Sequence, residues 1–381
     1  MPSPLDLVLD PSGDVILVLS SHKDTPPESP STDTVMAEQS DGHDDAESIG
    51  SAAEPHSEAL NSIEETEEME VKVSSRHLAL SSRVFRVMFD GGFQEGVPRE
   101  GHRLRRVPLP EDEINAMLVL LYIVHGLSRQ VPRKIDLPKL IDIAIVIEKY
   151  ALHQVAEVYT DIWFHELYES RSIPTLNSDL PEWIFLCWVL RRPTEFYYCT
   201  RAAIFRCGPR FEDRGLPFSI PVANRIELAR LSTIQKLLDY LNKLIDCYSG
   251  SRKQCVSHKA CDATVLGDLI QNLKAEGLYP VPDHATIDLP IETLWSTLGA
   301  RRFTSLCHAR PPTPPSATPY ARAPKPNADP KCTIDSHFSN YLALLKLETL
   351  GLDLEEFPSA NARPAHHPEA LRWAHNSRYD W

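Results

Sequence analysis

Eight cysteines and fifteen histidines are the side chains here best suited to hold a metal, and their spacing decides which of them can. Cys247, Cys255, His258 and Cys261 form a C-x7-C-x2-H-x2-C pattern across the short polar stretch GSRKQCVSHKAC. Cys307, His308, Cys332 and His337 follow. Zinc prefers four Cys or His ligands, and a two-residue spacing is compatible with one chelating hook. The expected set for a structural zinc is Cys255, Cys261, Cys332 and His337, with Cys307 the other residue able to complete it. The competing reading is that these cysteines are small apolar residues of a helical core, since no paired C-x2-C hook occurs. No cofactor is expected beyond that zinc.

Nothing points to catalysis. The chain contains no G-x-x-x-x-G-K-[ST], G-x-G-x-x-G, G-x-S-x-G or H-E-x-x-H. The H-x-E with C-x-x-C pattern of zinc deaminases is missing too. No catalytic residue is assigned, and the expectation is a protein that is not an enzyme.

The positioning elements follow from composition. At 381 residues and 42% hydrophobic, the chain can bury the core of two domains, or of one with long appendages. No apolar run approaches the ~20 residues of a membrane span. The opening MPSPLDLVLD has neither a basic flank nor a long apolar centre, so a secretory signal is not expected and the protein is read as intracellular, cytoplasmic or nuclear. The net charge of −14 is local: residues 24–70 hold 15 acidic side chains and no Lys or Arg. The remaining chain is close to neutral, which argues against nucleic acid as a partner.

Residues 5–9 and 15–19 are apolar runs around DPSGD and predict a β-hairpin, with 15–19 buried on both faces. Residues 24–70 lack aromatic side chains and cannot offset their ordering entropy, so they are read as a disordered acidic insert. VKV at 71–73 predicts a strand and 77–89 a helix with Leu78, Val84, Phe85, Met88 and Phe89 inward. A strand over 104–109 and helices over 111–126, 137–149 and 154–167 follow, the second of these helices opened by Asp136 and Pro138. Beyond residue 170 the pattern is helix and loop. Asn224 and Glu227 predict a capping box, and Leu231, Ile234, Leu238, Leu241 and Ile245 form a stripe packed on its own domain. Residues 309–331 are a Pro-rich linker. Ser336 opens a last helix ending at Gly351.

The string from Val73 to Phe89, VSSRHLALSSRVFRVMF, resembles the heart of the BTB/POZ domain, with Leu78, Ser82, Phe85, Met88 and Phe89 on its pattern. Asp14 with the hydrophobic run to Val18 resembles that family's first strand, and Glu148-Lys149-Tyr150 a segment near its end. An insert between the first two strands is similar to fungal members. The resemblance implies an α+β fold at residues 5–167, a small sheet covered by helices. A mainly α-helical region at 170–308, a C-terminal helix at 332–357 and a tail at 358–381 complete the organisation.

The resemblance also implies a non-enzymatic interaction protein that self-associates through its N-terminal strand and first helices, where residues 5–9, Val84 and Val87 are the candidates. Family members that recruit repressor peptides pair a basic residue with the acid found here as Asp14. Ser75 stands at that position and carries no charge, so the resemblance stops short of that groove. Phe93 and Glu95 sit where some members contact a cullin scaffold, which makes a substrate adaptor of a cullin-3-type ubiquitin ligase the alternative function. A metal-stabilised gene-regulatory factor is the third.

Overall fold

A computed structural model describes residues 6–21, 67–90, 104–110, 112–169, 179–208, 210–217, 220–256, 258, 260–307, 332 and 334–358. Packing divides the chain between Pro132 and Arg133 into two compact units. That boundary falls inside the 5–167 span, so the helices over 137–169 group with the helical region.

The first unit is α+β. Its mixed sheet contains β1 (Leu7–Val8), β2 (Val15–Ser21), β3 (Glu67–Val73) and β4 (Arg105–Pro110), in the order β1-β3-β2-β4. β2 runs antiparallel to β3 and parallel to β4. A strand paired on both edges and covered on both faces needs consecutive apolar side chains, and Val15, Ile16, Leu17 and Leu19 are all buried.

The expected hairpin does not form. The turn exists, closed by Gly13 N–H to the Asp10 carbonyl at 2.9 Å and by Ser12 N–H to Asp10 Oδ1 at 2.8 Å. β1, however, pairs parallel with the far edge of β3, Leu7 opposite Val71. A Cβ at Gly13 would stand 2.4 Å from the Val73 carbonyl oxygen, so only glycine lets the turn lie against β3.

β3 also begins earlier than expected: Glu67–Glu70, counted with the acidic insert, pair with Val18–Ser21. Glu70 N–H donates to Asp6 Oδ2 at 2.8 Å, and its carboxylate pairs with Arg106. Ladder hydrogen bonds along the central strand outweigh composition there. Residues 22–66 lie outside the described residues.

The helix expected over 77–89 is two, α1 (Ser75–Ser81) and α2 (Arg83–Asp90). Ser82 between them is extended (φ −138°, ψ 126°), and its hydroxyl accepts from Phe85 N–H at 3.0 Å. A serine oxygen that caps the next helix competes with continuing the last one. Leu78, Phe85 and Phe89 still reach the core. α3 (Ile114–Val124) is capped by the Glu113 carboxylate on Ala116 N–H and stops before Gly126, φ +70°.

The second unit is all helical. It comprises α4 (Leu137–Tyr150), α5 (His153–Glu169), α6 (Leu180–Val189), α7 (Pro193–Arg206), α8 (Ile220–Ser249), α9 (Cys261–Ala275), α10 (Ile291–Gly299) and α11 (Ile334–Glu348). Asp136 caps α4 through Lys139 N–H at 3.0 Å, as expected. All ten residues of α6 but Glu182 are buried, a helix apolar on nearly every side. The proposed Asn224–Glu227 capping box is not a cap, because α8 already runs from Ile220. Glu227 instead pairs with Arg230 at 3.1 Å. The α8 stripe is buried at Ile234, Leu238 and Leu241, and α8 packs on α7, α9 and α11. No helix among the described residues is long and apolar enough to cross a membrane.

Two buried polar contacts carry predictions. His125 Nε2 accepts from Ser74 N–H at 3.1 Å while Nδ1 lies 2.9 Å from the Leu121 carbonyl, which fixes a neutral ring protonated on Nδ1. Burial, then the nearby His77 ring, hold His125 below the ordinary imidazole value against the opposing pull of Leu121 and Asp10. The neutral form is therefore the stabilising one. Its contribution is full above about pH 6.5 and fades as the pH falls through that value towards the lower folded-state one. Urea titrations between pH 7 and 5 should show this loss, and His125→Gln should flatten it. An unchanged slope in the variant places the effect elsewhere. Arg230, 1% exposed, donates to the Ile287 and Leu289 carbonyls at 2.7 and 3.1 Å. Arg230→Ala should cost about 3 kcal/mol in denaturant unfolding of the helical unit, and a loss below half of that would show the contacts to be weak.

Candidate metal centre

The segment after α8 leaves helical geometry at GSRKQ and returns at Cys261, the first residue of α9. Between them Cys255 is turned inward, 2% exposed, and Cys261 is fully buried. Cys307 lies in the segment after α10, and Cys332 lies two residues ahead of α11. Their four sulfurs all lie within 4.8 Å of one another. Cys255 Sγ stands 3.5 Å from Cys307 Sγ, and Cys261 Sγ 3.9 Å from Cys307 Sγ.

These separations fit the edges of a metal-binding tetrahedron. Sulfurs bound to zinc at ~2.3 Å in a tetrahedron stand about 3.8 Å apart. A disulfide would need ~2.05 Å, and all four cysteines are free thiols. As thiols the group is electrostatically costly to ionise. Burial, followed by hydrogen bonding with Cys255, pushes the Cys307 thiol up to about 11 and raises Cys332 further. A divalent cation reverses that cost, because coordinated thiols bind as thiolates. Soft sulfur ligands in a closed tetrahedral set suit zinc in a structural role and leave no open position for a substrate.

Of the set expected from sequence, Cys255, Cys261 and Cys332 come together and His337 does not. His337 lies exposed on the first turn of α11, where its ring faces solvent, and Cys307 takes the fourth place. The His258 side chain is exposed as well, and only its main-chain N–H takes part, donating to Cys255 Sγ at 3.3 Å. Cys247 is exposed on α8 and outside the cluster. His308, Phe93 and Glu95 lie outside the described residues. Choosing Cys307 over His337 needed a contact across 45 intervening residues from Cys261, which no local spacing encodes.

Sequence reasoning also missed the polar groups that frame the cluster. Asp262 accepts from Gln254 N–H at 2.8 Å and from Cys255 N–H at 2.9 Å. Asp268 accepts from Thr304 N–H at 2.7 Å and Asp335 from Phe303 N–H at 2.8 Å. Asp262 follows a cysteine directly, the only hint available in the chain.

In the first unit Ser75 does more than remove a charge. Its hydroxyl and main-chain N–H donate to the Asp14 carboxylate at 2.7 and 2.9 Å. Burial alone would raise Asp14, but these two bonds hold it below the ordinary carboxylate value. No family model, curated protein or solved structure matches the chain.

Proposed function

We propose that this chain is a non-enzymatic interaction protein: a BTB/POZ-type first unit brings copies of it together, and a helical unit is held in shape by a structural zinc. The observation that carries the first part is exposed apolar surface on the elements expected to self-associate. Leu80 on α1 is 80% exposed, Val87 on α2 56% and Val8 on β1 46%. Large aliphatic side chains at such exposure gain by burial against a partner. Val84 is only half-exposed and contributes less.

The strand order supports the same reading. A central strand from Val15, a neighbour antiparallel to it, a helical pair and a strand parallel to the first are compatible with the small helix-covered sheet that the resemblance implies. Ser75 occupies Asp14 with its own hydrogen bonds, so repressor recruitment through a cation at that position is not part of the proposal. For the zinc, the support is the mutual approach of four sulfurs drawn from four segments of the second unit.

Sedimentation of the full chain tests self-association. The wild type should sediment as a dimer at micromolar concentration, and Leu80→Glu with Val87→Glu should shift it to monomer with an unchanged circular dichroism spectrum. A monomeric wild type at tens of micromolar overturns this part. Elemental analysis tests the zinc: the expected result is about one equivalent per chain, kept in His337→Ala and lost in Cys307→Ser. Chelation should lower the melting temperature of the helical unit, since metal-binding free energy is folding free energy where the site requires the fold. Retention of zinc by Cys307→Ser sinks the four-cysteine assignment.

A further inference from the structure

We infer that Asp262, Asp268 and Asp335 are positioning residues of the metal centre, holding its two loop cysteines where the metal needs them. This rests on the zinc reading above. The four ligands are not equivalent in how the chain fixes them. Cys261 begins α9, and Cys332 stands just ahead of α11. Cys255 and Cys307 lie in irregular segments with no helix to aim them.

The Cys255 segment is gripped by a carboxylate from α9, and the Cys307 segment by carboxylates from α9 and α11. Asp262, beside Cys261 on α9, takes the consecutive N–H groups of Gln254 and Cys255, one on each oxygen. That bidentate grip fixes the peptide plane from which the Cys255 side chain departs, and His258 N–H then meets its sulfur at 3.3 Å. Asp268, further along α9, holds Thr304 N–H, and Asp335, in the first turn of α11, holds Phe303 N–H. Ser305, one residue on and 1% exposed, is packed inside, and Cys307 follows two residues later. The loop bearing Cys307 is thus pinned to both helices before it reaches the metal.

Hydrogen bonds to an ionised acceptor are short and about twice as strong as neutral ones, and three of the four here measure 2.7 or 2.8 Å. Acidic groups beside a site of four thiolates add unwelcome charge unless that charge is engaged. Each carboxylate is engaged by main-chain N–H groups directed at it. Partners behind metal ligands of this kind are typically worth 10–100-fold in metal affinity.

Cobalt titration of the full chain, stripped of zinc and kept reduced, tests the inference. The wild type should show the intense thiolate-to-cobalt charge-transfer bands of four sulfur ligands. Asp262→Ala should bind cobalt about 10–100-fold more weakly, with charge-transfer intensity falling towards that of three thiolates as Cys255 drops out. Asp262→Asn keeps the shape and one acceptor and should lie between, and exposed Asp288→Ala, which changes the same charge elsewhere, should match wild type. Wild-type affinity and intensity in Asp262→Ala overturn the inference while leaving the zinc reading intact. So does a fall in the melting temperature of metal-free Asp262→Ala with cobalt affinity unchanged, which would make Asp262 a fold residue only. A wild type that takes up no cobalt through thiolates ends the zinc reading and this inference together.

Discussion

Bringing Cys255, Cys261, Cys307 and Cys332 within 4.8 Å gathers chain segments that are far apart in sequence at one point. Each closure costs conformational entropy, and the cost grows only slowly with loop length. Four neutral thiols in mutual contact return little of it, since a thiol is a weak hydrogen-bonding group. The return comes from the apolar faces of the helices that carry or flank them: Val265, Leu269 and Leu273 on α9, Leu294 and Leu298 on α10, Phe338, Leu342 and Leu345 on α11, all buried. A cation held at the centre would add to that burial and tie down the two loops that carry Cys255 and Cys307. Compare Cys187 and Cys199, both buried in regular helices. Burial and their mutual hydrogen bond hold the Cys187 thiol neutral, so this pair behaves as ordinary core.

In the first unit the corresponding constraint is the central strand. β2 is paired along both edges, so its neighbours are set by what can satisfy its N–H and C=O groups. That need draws Glu67–Glu70 into the ladder despite their charge, with Arg106 and Asp6 answering Glu70 from either side. It also displaces β1 to the outside of β3, where two residues of parallel pairing suffice.

What the sequence made legible was local. The apolar run at β2, the Asp136 cap of α4 and the buried stripe of α8 follow from periodicity and capping chemistry, and they stand as read. What it hid was non-local or competitive. DPSGD is a real turn, yet a turn does not say which strand lies beside the one it leaves. Ser82 could continue a helix or cap the next, and only the buried position of its hydroxyl, set by Phe85, decides between them. Three of the four clustered cysteines were legible from type and rough spacing. The fourth, Cys307, stood in the sequence only as the alternative to His337, and the structure decides for it because α11 turns His337 to solvent while the Asp268 and Asp335 bonds carry the Cys307 loop inward.

The helical unit solves one problem repeatedly: irregular chain between helices leaves main-chain groups that no ladder satisfies. Its answer divides by sign. Carbonyls are taken by cationic or indole donors: Arg230 on Ile287 and Leu289, Arg201 on Lys346 and Thr349, Trp188 on Phe357, Trp295 on Leu342. Many N–H groups are taken by aspartates, Asp262, Asp268 and Asp335 among them. Arg201, Trp188 and Trp295 hold α11 and the chain after it against α7, α6 and α10, and Arg230 holds the segment before α10 against α8. The contacts of Asp262, Asp268 and Asp335 gather where sulfur is also present, so the order they impose on the loops is the order that a metal there would need. A scaffold built this way fixes its loops through specific bonds as well as bulk apolar burial.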